Sequence, residues 1–262
     1  MIIDGHSHVT LPIEEHIKLM DEAGVDKTIL FSTTFHPELA NNAGEVKEKM
    51  KYLNDLLAGK KGSMIEARKN SIKELVHTIS QYPERYVGFG TTPIGLSLDD
   101  TKQYMEENIV SNNLAGVGEF TLGEGNAHLL EPVFQAVKEL KIMPIWIHAF
   151  HPYTLADIRE TASIASQFPQ IPVILGHLGG SNWMETMDIV AKMPNMYLDT
   201  SAFFSTFILS TVINEIPKKC IFGVDGPFGD LELSKQAIIK YAKSPDDAKA
   251  ILGDNIQTIL EI

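Results

Sequence analysis

The segment MIIDGHSHV, residues 1–9, begins with apolar residues and ends in a group of ionisable side chains. If it forms a β-strand, alternate side chains point to the same face, so Asp4, His6 and His8 would share one face. Two neutral imidazoles on one strand face can ligate zinc or a related ion. Two surface histidines near a chain terminus would produce the same short motif, so the rest of the chain has to separate these interpretations.

Seven further runs share the short, apolar and β-branched character of residues 1–9. Their first halves are almost continuously hydrophobic, which is typical of parallel strands that are covered on both faces. Segments with helical periodicity lie between them, for example at residues 70–83. Eight strands, each followed by a helix, predict a (β/α)8 barrel that forms a single domain over residues 1–262. The seven runs are KTILFST (27–33), YVGFGTT (86–92), LAGVGEF (114–120), PIWIHAF (144–150), PVILGHLG (172–179), MYLDTSA (196–202) and CIFGVDGP (220–227).

The connection after the second run, residues 34–65, is much longer than the others. It is polar and contains a helical piece at about 45–58. Long insertions that follow barrel strands are usually lids or binding loops. We therefore predict that this insertion lies over the catalytic end of the barrel.

The composition limits the classes of partner. A formal net charge of −12, from 22 Lys and Arg against 34 Asp and Glu, disfavours non-specific binding to nucleic acid or to an anionic membrane. The single cysteine, Cys220, excludes an intrachain disulfide and suits a reducing compartment. The first residues lack the basic segment of a signal peptide, and no run is long enough for a transmembrane helix. These features predict a cytoplasmic, soluble protein with no nucleic-acid partner and no membrane partner, and they leave a homodimer open.

Ionisable side chains recur at the ends of five of the eight predicted strands. In a (β/α)8 barrel the carboxyl ends of the strands carry the active site. Burying several unpaired polar side chains together costs a few kcal/mol each, whereas a divalent cation would satisfy the imidazoles and neutralise the carboxylates. The pattern therefore predicts a metal site. Its candidates are His6, His8, Glu119, His148, His177 and Asp225.

Several of these motifs resemble the amidohydrolase superfamily. They are DGHSH, IHA, GHLGG, GVDGPFG and the closing ILGDNIQTIL, and they occur in the same order along the whole chain. The nearest branch is the amidohydrolase-related group that includes aminocarboxymuconate-semialdehyde decarboxylase. The resemblance implies that His6, His8, His148 and Asp225 hold a divalent ion, with zinc expected. It also implies that His177 is an acid/base or substrate-polarising residue that lies outside the metal shell or at its edge.

Glu119 departs from the pattern of the decarboxylases, in which the fourth strand is not a regular source of a ligand. The GVGEF motif resembles the strand-4 motif of TatD-type metal hydrolases, in which the glutamate binds metal. Glu119 could therefore bind a second ion, bind the first, or orient a ligand histidine. We expect one ion and keep two as the alternative. Asp225 is expected to take the proton of the attacking water while it contacts the metal.

Three residues are candidates for substrate binding. His151 follows the fifth run, Arg68 could bind a substrate carboxylate through two hydrogen bonds, and Trp183 follows the GHLGG motif. The alternatives are a solvated loop histidine, a surface ion pair and helix packing, respectively.

Three further groups of residues have less specific expectations. His36, in the insertion, is a candidate of the same kind as His151. Asp4 and Asp199 are expected to support the site from behind, and the histidines of the predicted helices are expected to be exposed. The latter are His16, His77 and His128.

Three functions remain in competition at this point. The first is a metal-dependent hydrolase of an amide, ester or lactone-like bond in a small molecule. The second is a metal-dependent, non-oxidative decarboxylase of an unsaturated or aromatic carboxylic acid, and the third is a non-catalytic barrel that binds metal or ligand. A basic carboxylate-binding residue in the pocket would favour the decarboxylase. Glu119 placed between two ions would favour the hydrolase.

Overall fold

The computed structural model describes residues 1–57, 60–61, 64–142 and 144–262, and its centre is an eight-stranded parallel sheet. The strands are hydrogen-bonded in chain order, from β1 to β8. A bridge between Ser7 and Gly226 joins the last strand to the first, together with a 2.8 Å hydrogen bond from the His8 N–H to the Gly226 carbonyl. The (β/α)8 barrel predicted from the sequence is confirmed. The strands are β1 Ile3–His8, β2 Lys27–Phe31, β3 Tyr86–Gly90, β4 Gly116–Phe120, β5 Ile145–Ile147, β6 Val173–Leu175, β7 Met196–Asp199 and β8 Cys220–Ile221.

Helices follow the strands and cover the outside of the barrel. Side chains cap the starts of α4, α6, α9 and α10, and at α6 the Thr154 and Asp157 side chains form a reciprocal capping box. No helix in the described part of the chain is long and apolar enough to cross a membrane. The helices are α1 Ile13–Ala23, α2 Ala43–Leu57, α3 Ile65–Gln81, α4 Leu98–Asn108, α5 Glu131–Leu140, α6 Leu155–Ser166, α7 Trp183–Lys192, α8 Thr206–Glu215, α9 Leu231–Tyr241, α10 Pro245–Lys249 and α11 Asn255–Leu260.

Two apolar layers hold the barrel together. The larger layer lies between the strands and the helices, and the smaller one fills the barrel interior. Phe31, Phe89 and Trp146 are fully buried in the interior layer and contact one another edge to face, at centroid distances of 5.3 to 5.9 Å. This apolar plug lies directly beneath the candidate site, since the Phe31 ring is 4.9 Å from the His6 ring.

Strand β1 departs from simple two-residue alternation. Its pairing with β2 shifts register between Asp4 and Ser7. Asp4 accepts hydrogen bonds from the backbone N–H groups of His6 and Val224 and from Ser7 Oγ. The prediction that Asp4 shares a face with His6 and His8 is therefore wrong, because the irregularity turns Asp4 toward the backbone that follows β8. Its expected supporting role agrees with these contacts.

Most strands end earlier than the predicted runs, and three of these early ends concern the candidate site. β5 ends at Ile147, β6 at Leu175 and β8 at Ile221, so His148, His177 and Asp225 lie in the following turns. His177 and Asp225 have positive φ angles of 60° and 63°, which regular strands do not contain.

The long connection after β2 contains a 3-10 turn at Pro37–Leu39 and helix α2 before α3 begins at Ile65. The predicted helical piece at 45–58 corresponds to α2, and its last residue lies outside the described part of the chain. Leu53 and Leu56 of α2 line the same pocket as His8 and Asp225. The insertion therefore contributes a wall to that pocket.

Candidate active site

Six side chains meet at the carboxyl end of the barrel, which we call the mouth. They come from β1, β4 and the turns after β5, β6 and β8. Their potential ligand atoms fall into groups whose members lie within 4.8 Å of one another. The structure therefore brings the five residues predicted as metal ligands close to the predicted acid/base residue His177. The five are His6, His8, Glu119, His148 and Asp225.

The first group of donor atoms lies at the β1 and β8 side of the mouth. His8 Nε2 is 3.4 Å from Asp225 Oδ1, and His6 Nε2 is 3.9 Å from the same oxygen. Glu119 Oε2 lies 3.7 Å from His6 Nε2 and 3.8 Å from His8 Nε2. Two imidazole nitrogens and two carboxylate oxygens thus surround one point.

The second group lies at the β5 and β6 side and uses the other oxygen of Glu119. Oε1 is 3.2 Å from His148 Nδ1 and 3.0 Å from His177 Nε2, and these two nitrogens are 3.0 Å apart. His148 donates its Nε2–H to the His151 carbonyl at 3.4 Å, which leaves Nδ1 to face the group. Glu119 therefore lies between two separate sets of donors.

The residues present fit a bound cation. Ligand atoms about 2.1 Å from one ion in a tetrahedron lie about 3.4 Å apart, close to the spacings in both groups. His6 Nε2 and His8 Nδ1 are buried and have no hydrogen-bond partner among the described residues. A nitrogen left without a partner in a buried site is costly unless something unobserved satisfies it, and for His6 Nε2 a cation would do so.

Mutual charge interactions dominate the electrostatics of the mouth. Burial opposes the charged form of His6, but Asp199 and Glu119 outweigh it and raise the pKa of His6 well above its ordinary value. Burial also opposes ionisation of Glu119, yet the His6 and His148 charges hold the pKa of this carboxyl well below its usual range. In the same way burial disfavours charged His177, while Glu119 raises the pKa of that imidazole. Each charge in the mouth thus depends on the others.

Asp199, at the end of β7, supports the mouth from below. It is fully buried, and its pKa is held low mainly by His6, against the opposing effect of burial. Oδ2 accepts hydrogen bonds from His6 Nδ1 at 2.8 Å and from Trp146 Nε1 at 2.7 Å. Oδ1 accepts from the His177 and Ser201 N–H groups and from Ser201 Oγ. The sequence pointed only weakly to this residue.

The turn after β6 needs its glycines for packing. Gly179 and Gly180 both have positive φ angles, at 78° and 54°. A Cβ on Gly179 would lie 2.4 Å from Thr186 Oγ1, and one on Gly180 would lie 2.5 Å from the Phe150 ring. These glycines allow the turn that carries His177 to pack tightly, which explains the GHLGG motif without a bound phosphate.

A pocket opens from the donor groups toward the insertion. Arg68, at the start of α3, lines it and donates a hydrogen bond from Nη1 to Thr91 Oγ1. Burial lowers the pKa of Arg68, as expected for a guanidinium removed from water. Phe35 and Phe228 form the outer wall, with nearly parallel rings whose centroids are 6.3 Å apart. The sequence predicted Arg68 here but gave no signal for the aromatic wall.

Two predicted substrate-binding residues are not among the residues that line this pocket. The His151 side chain is exposed, and only its carbonyl contacts His148. Trp183 packs edge-on against Phe207, at a centroid distance of 6.5 Å.

His36 and His16 also differ from their simplest expectations. His36 lies between Glu38 and Glu74, with each ring nitrogen 3.0 Å from a carboxylate oxygen. The prediction that His16 is exposed is wrong, because it is only 5 % exposed and stacks on Tyr86. His77 and His128 are exposed as expected.

The fold and the mouth place this protein in a class of (β/α)8 barrels. In this class, ionisable residues converge at the carboxyl ends of the strands to form the active site. The family model described as Amidohydrolase matches residues 3–262. The chain therefore belongs to this family and is an enzyme of the amidohydrolase superfamily, as the sequence motifs predicted. No curated protein matched the sequence.

Solved structures with the same fold include both decarboxylases and a hydratase. The 2,6-dihydroxybenzoate decarboxylase from Rhizobium has a TM-score of 0.68 at 18% identity, covering 99% of this chain and 98% of that one. A dihydroxybenzoic acid decarboxylase from a Polaromonas species, with bound manganese and 2-nitroresorcinol, has a TM-score of 0.70 at 18% identity and covers 99% and 96%. The 4-oxalomesaconate hydratase from Rhodopseudomonas palustris has a TM-score of 0.68 at 15% identity and covers 100% and 96%. At these identities the similarity establishes the fold alone.

Proposed function

We propose that this chain is a metal-dependent hydrolase of a small molecule with an amide, ester or lactone-like bond, and that it holds two divalent ions. The position of Glu119 carries this proposal, because its two oxygens face two separate groups of donors. His6, His8 and Asp225 would hold one ion, His148 and His177 the other, and Glu119 would bridge them. The donor set of imidazoles and carboxylates suits zinc, and manganese is the first alternative to test.

The chemistry follows from the side chains around the two positions. When bound, a divalent ion supplies Lewis-acid polarisation and makes a coordinated water more acidic. Asp225 lies at the open edge of the first group, with its side chain 13 % exposed, so it can accept the proton of an attacking water. Glu119, whose side chain is 5 % exposed, is enclosed between the imidazoles and is better suited to ligation than to proton transfer.

Arg68 suggests that the substrate carries an anionic group. Its guanidinium lines the same pocket as His8, Glu119 and Asp225, and it can recognise a carboxylate through two parallel hydrogen bonds. The apolar wall of Phe35 and Phe228 would enclose the remainder of a small, unsaturated or ring-shaped molecule.

Arg68 also favours the second candidate, a non-oxidative decarboxylase of an unsaturated or aromatic acid. Two of the structurally similar proteins described above are decarboxylases of dihydroxybenzoates. In that reaction His177 would deliver a proton to the carbon that loses carbon dioxide, which would place it outside the metal shell.

One experiment separates these candidates. The Zn2+-loaded protein is incubated with carboxylate-bearing lactones, esters and amides, and in parallel with unsaturated and aromatic acids. We expect ring opening or bond cleavage, with one 18O atom incorporated from labelled water, and no carbon dioxide. Carbon dioxide release without 18O incorporation would establish the decarboxylase instead, and no turnover in either set with fully loaded protein would contradict both candidates.

A further inference from the structure

The hydrogen bonds beneath the mouth connect one buried carboxylate to a histidine of each donor group. Asp199 has two oxygens that serve different partners. Oδ2 faces His6 Nδ1, and Oδ1 faces Ser201 Oγ at 2.5 Å. Ser201 Oγ is in turn 2.8 Å from His177 Nδ1.

The donors and acceptors in this network can be counted. A carboxylate only accepts hydrogen bonds, so His6 must carry its proton on Nδ1 to make the 2.8 Å contact with Asp199. The Ser201 hydroxyl has one proton, and its shortest contact directs this proton to Asp199 Oδ1. Its oxygen is then the acceptor for His177, which must also carry a proton on Nδ1.

An ion bound at the mouth would take the place of any proton on Nε2, the nitrogen that faces Glu119 in both rings. A neutral imidazole with a proton on Nδ1 has a lone pair on Nε2. His6 Nε2 faces Glu119 Oε2 and Asp225, and His177 Nε2 faces Glu119 Oε1. In both rings the nitrogen that faces the mouth is therefore the one prepared to ligate.

We propose that Asp199 and Ser201 are positioning residues that set the Nδ1–H tautomers of His6 and His177, so that one carboxylate prepares both donor groups. This inference rests on the two-ion arrangement proposed above. In this proposal the histidine of each donor group depends on a different oxygen of Asp199. His6 depends on Oδ2 directly, whereas His177 depends on Oδ1 through Ser201.

This division predicts that two substitutions act on different groups. In Asp199→Asn the carbonyl oxygen would take the Oδ1 position, where three donors meet, namely the two backbone N–H groups and the Ser201 hydroxyl. The new amide would then face His6 Nδ1 and Trp146 Nε1, the two donors to Oδ2. The indole would lose its acceptor, and His6 would have to accept at Nδ1, which places a proton on Nε2 and blocks ligation. Ser201→Ala removes the acceptor of His177 and a longer contact of 3.3 Å with His6 Nδ1, and it leaves the 2.8 Å contact between Asp199 and His6.

The test measures Zn2+ binding by competition with a chelator, using the full-length chain and Zn2+ as the only added ligand. Wild-type protein should bind two equivalents. Asp199→Asn should weaken the site that contains His6 about 10- to 100-fold, and Ser201→Ala should weaken the site that contains His177 by a similar factor, each leaving the other site unchanged. Asp157→Asn is the matched control, because Asp157 is another buried carboxylate, and it caps α6 instead of contacting the mouth. It should keep both affinities.

Nitrogen-15 spectra of histidine-labelled protein supply a readout that does not depend on affinity. In wild-type Zn2+-loaded protein the signals of His6 and His177, assigned with single histidine variants, should show protonated Nδ1 and ligating Nε2. In zinc-free Asp199→Asn protein His6 should show a proton on Nε2.

Three outcomes would overturn the inference. They are a proton on Nε2 of either ring in loaded wild-type protein, unchanged Zn2+ binding in both variants, and equal weakening of both sites by Ser201→Ala. If Asp199→Asn does not fold, the wild-type spectra and the Zn2+ affinities of Ser201→Ala still test the inference. If wild-type protein binds fewer than two Zn2+, the two-ion hydrolase fails, whereas the tautomer of His6 tests this inference separately.

Discussion

The mouth of the barrel and the pocket wall in front of it are built in opposite ways. In the mouth, His6, Glu119 and His177 are almost completely buried, and each is held by charged or polar neighbours. In the wall, Phe228 is 50 % exposed, and the insertion after β2 supplies apolar side chains. Under the function proposed above, the barrel would fix the chemistry, whereas the wall and Arg68 would select the molecule that reaches it.

The most severe test of the mouth removes two ligands at once. The double variant His6→Ala, His8→Ala should lose the ion held with Asp225 and all turnover, because both imidazoles of the first group are gone. Metal analysis of the purified protein measures this directly. The double variant His77→Ala, His128→Ala, at two exposed helical positions, is the control and should keep its metal. Full metal content in the first variant would contradict the assignment of the site.

The second test separates ligation from proton transfer. Asp225→Asn keeps the size of the side chain and an oxygen that can ligate, but it removes the base. We expect the metal to remain largely bound and kcat to fall about 10²- to 10⁴-fold. Measurement of metal content and kcat on the same sample decides the matter, since a fall in rate that only parallels lost metal would leave Asp225 as a ligand and not as a base.

The sequence allowed the barrel and the six ionisable residues that meet at the mouth to be predicted, because both depend on local patterns. Continuous apolar runs indicate parallel strands, and ionisable residues at their ends indicate the mouth. The number of ions could not be predicted in this way. Whether Glu119 faces one group or two depends on the rotation of its side chain relative to His148 and His177, which lie in the turns after two other strands.

Other features depended on packing that no local pattern records. Asp199 looked like one more polar residue at a strand end, and its five hydrogen bonds appear only when β1, β5, β6 and β7 are brought together. The spacing of α1 did not reveal that His16 faces Tyr86. The exposed side chain of His151 similarly reflects how the turn after β5 folds back, with its carbonyl toward His148.

The number of ions gives the third test. If Glu119 bridges two ions, Glu119→Gln and His177→Asn should each reduce bound Zn2+ from two equivalents to one, because each removes a donor of the second group. Metal analysis by mass spectrometry under native conditions gives the count. If both variants bind as much Zn2+ as the wild type, His177 is not a ligand, and its expected role as an acid/base residue would stand instead.

The wall should affect binding more than catalysis. Arg68→Met should raise KM for carboxylate-bearing substrates about 10- to 100-fold, the usual range for losing a hydrogen bond to a charged group, with a smaller change in kcat. Lys73→Met, which removes an exposed cation from the same helix, is the control and should leave KM unchanged. An equal rise in KM for substrates with and without a carboxylate would show that Arg68 supports the wall and does not recognise the anion.

The smallest expected effect concerns the barrel body, far from the wall. Burial, together with the charge of Arg85, lowers the pKa of His16 to about 4, below its ordinary value of 6.5. Above pH 6.5 His16 is neutral in both the folded and the unfolded states and makes no pH-dependent contribution to stability. As the pH falls from 6.5 toward 4, the unfolded state binds a proton that the folded state does not, so the free energy of unfolding decreases.

At pH 5 this linkage amounts to about 2 kcal/mol. His16→Gln keeps a polar partner for the Tyr86 hydroxyl and removes the titration. Between pH 7 and pH 5 its free energy of unfolding should therefore decrease by about 2 kcal/mol less than that of the wild type. Urea unfolding of both metal-free proteins at the two pH values measures the difference, and every titration common to them cancels. An NMR titration in which the folded His16 ring protonates near pH 6.5 would contradict the buried, neutral state, and so would equal pH slopes for the two proteins.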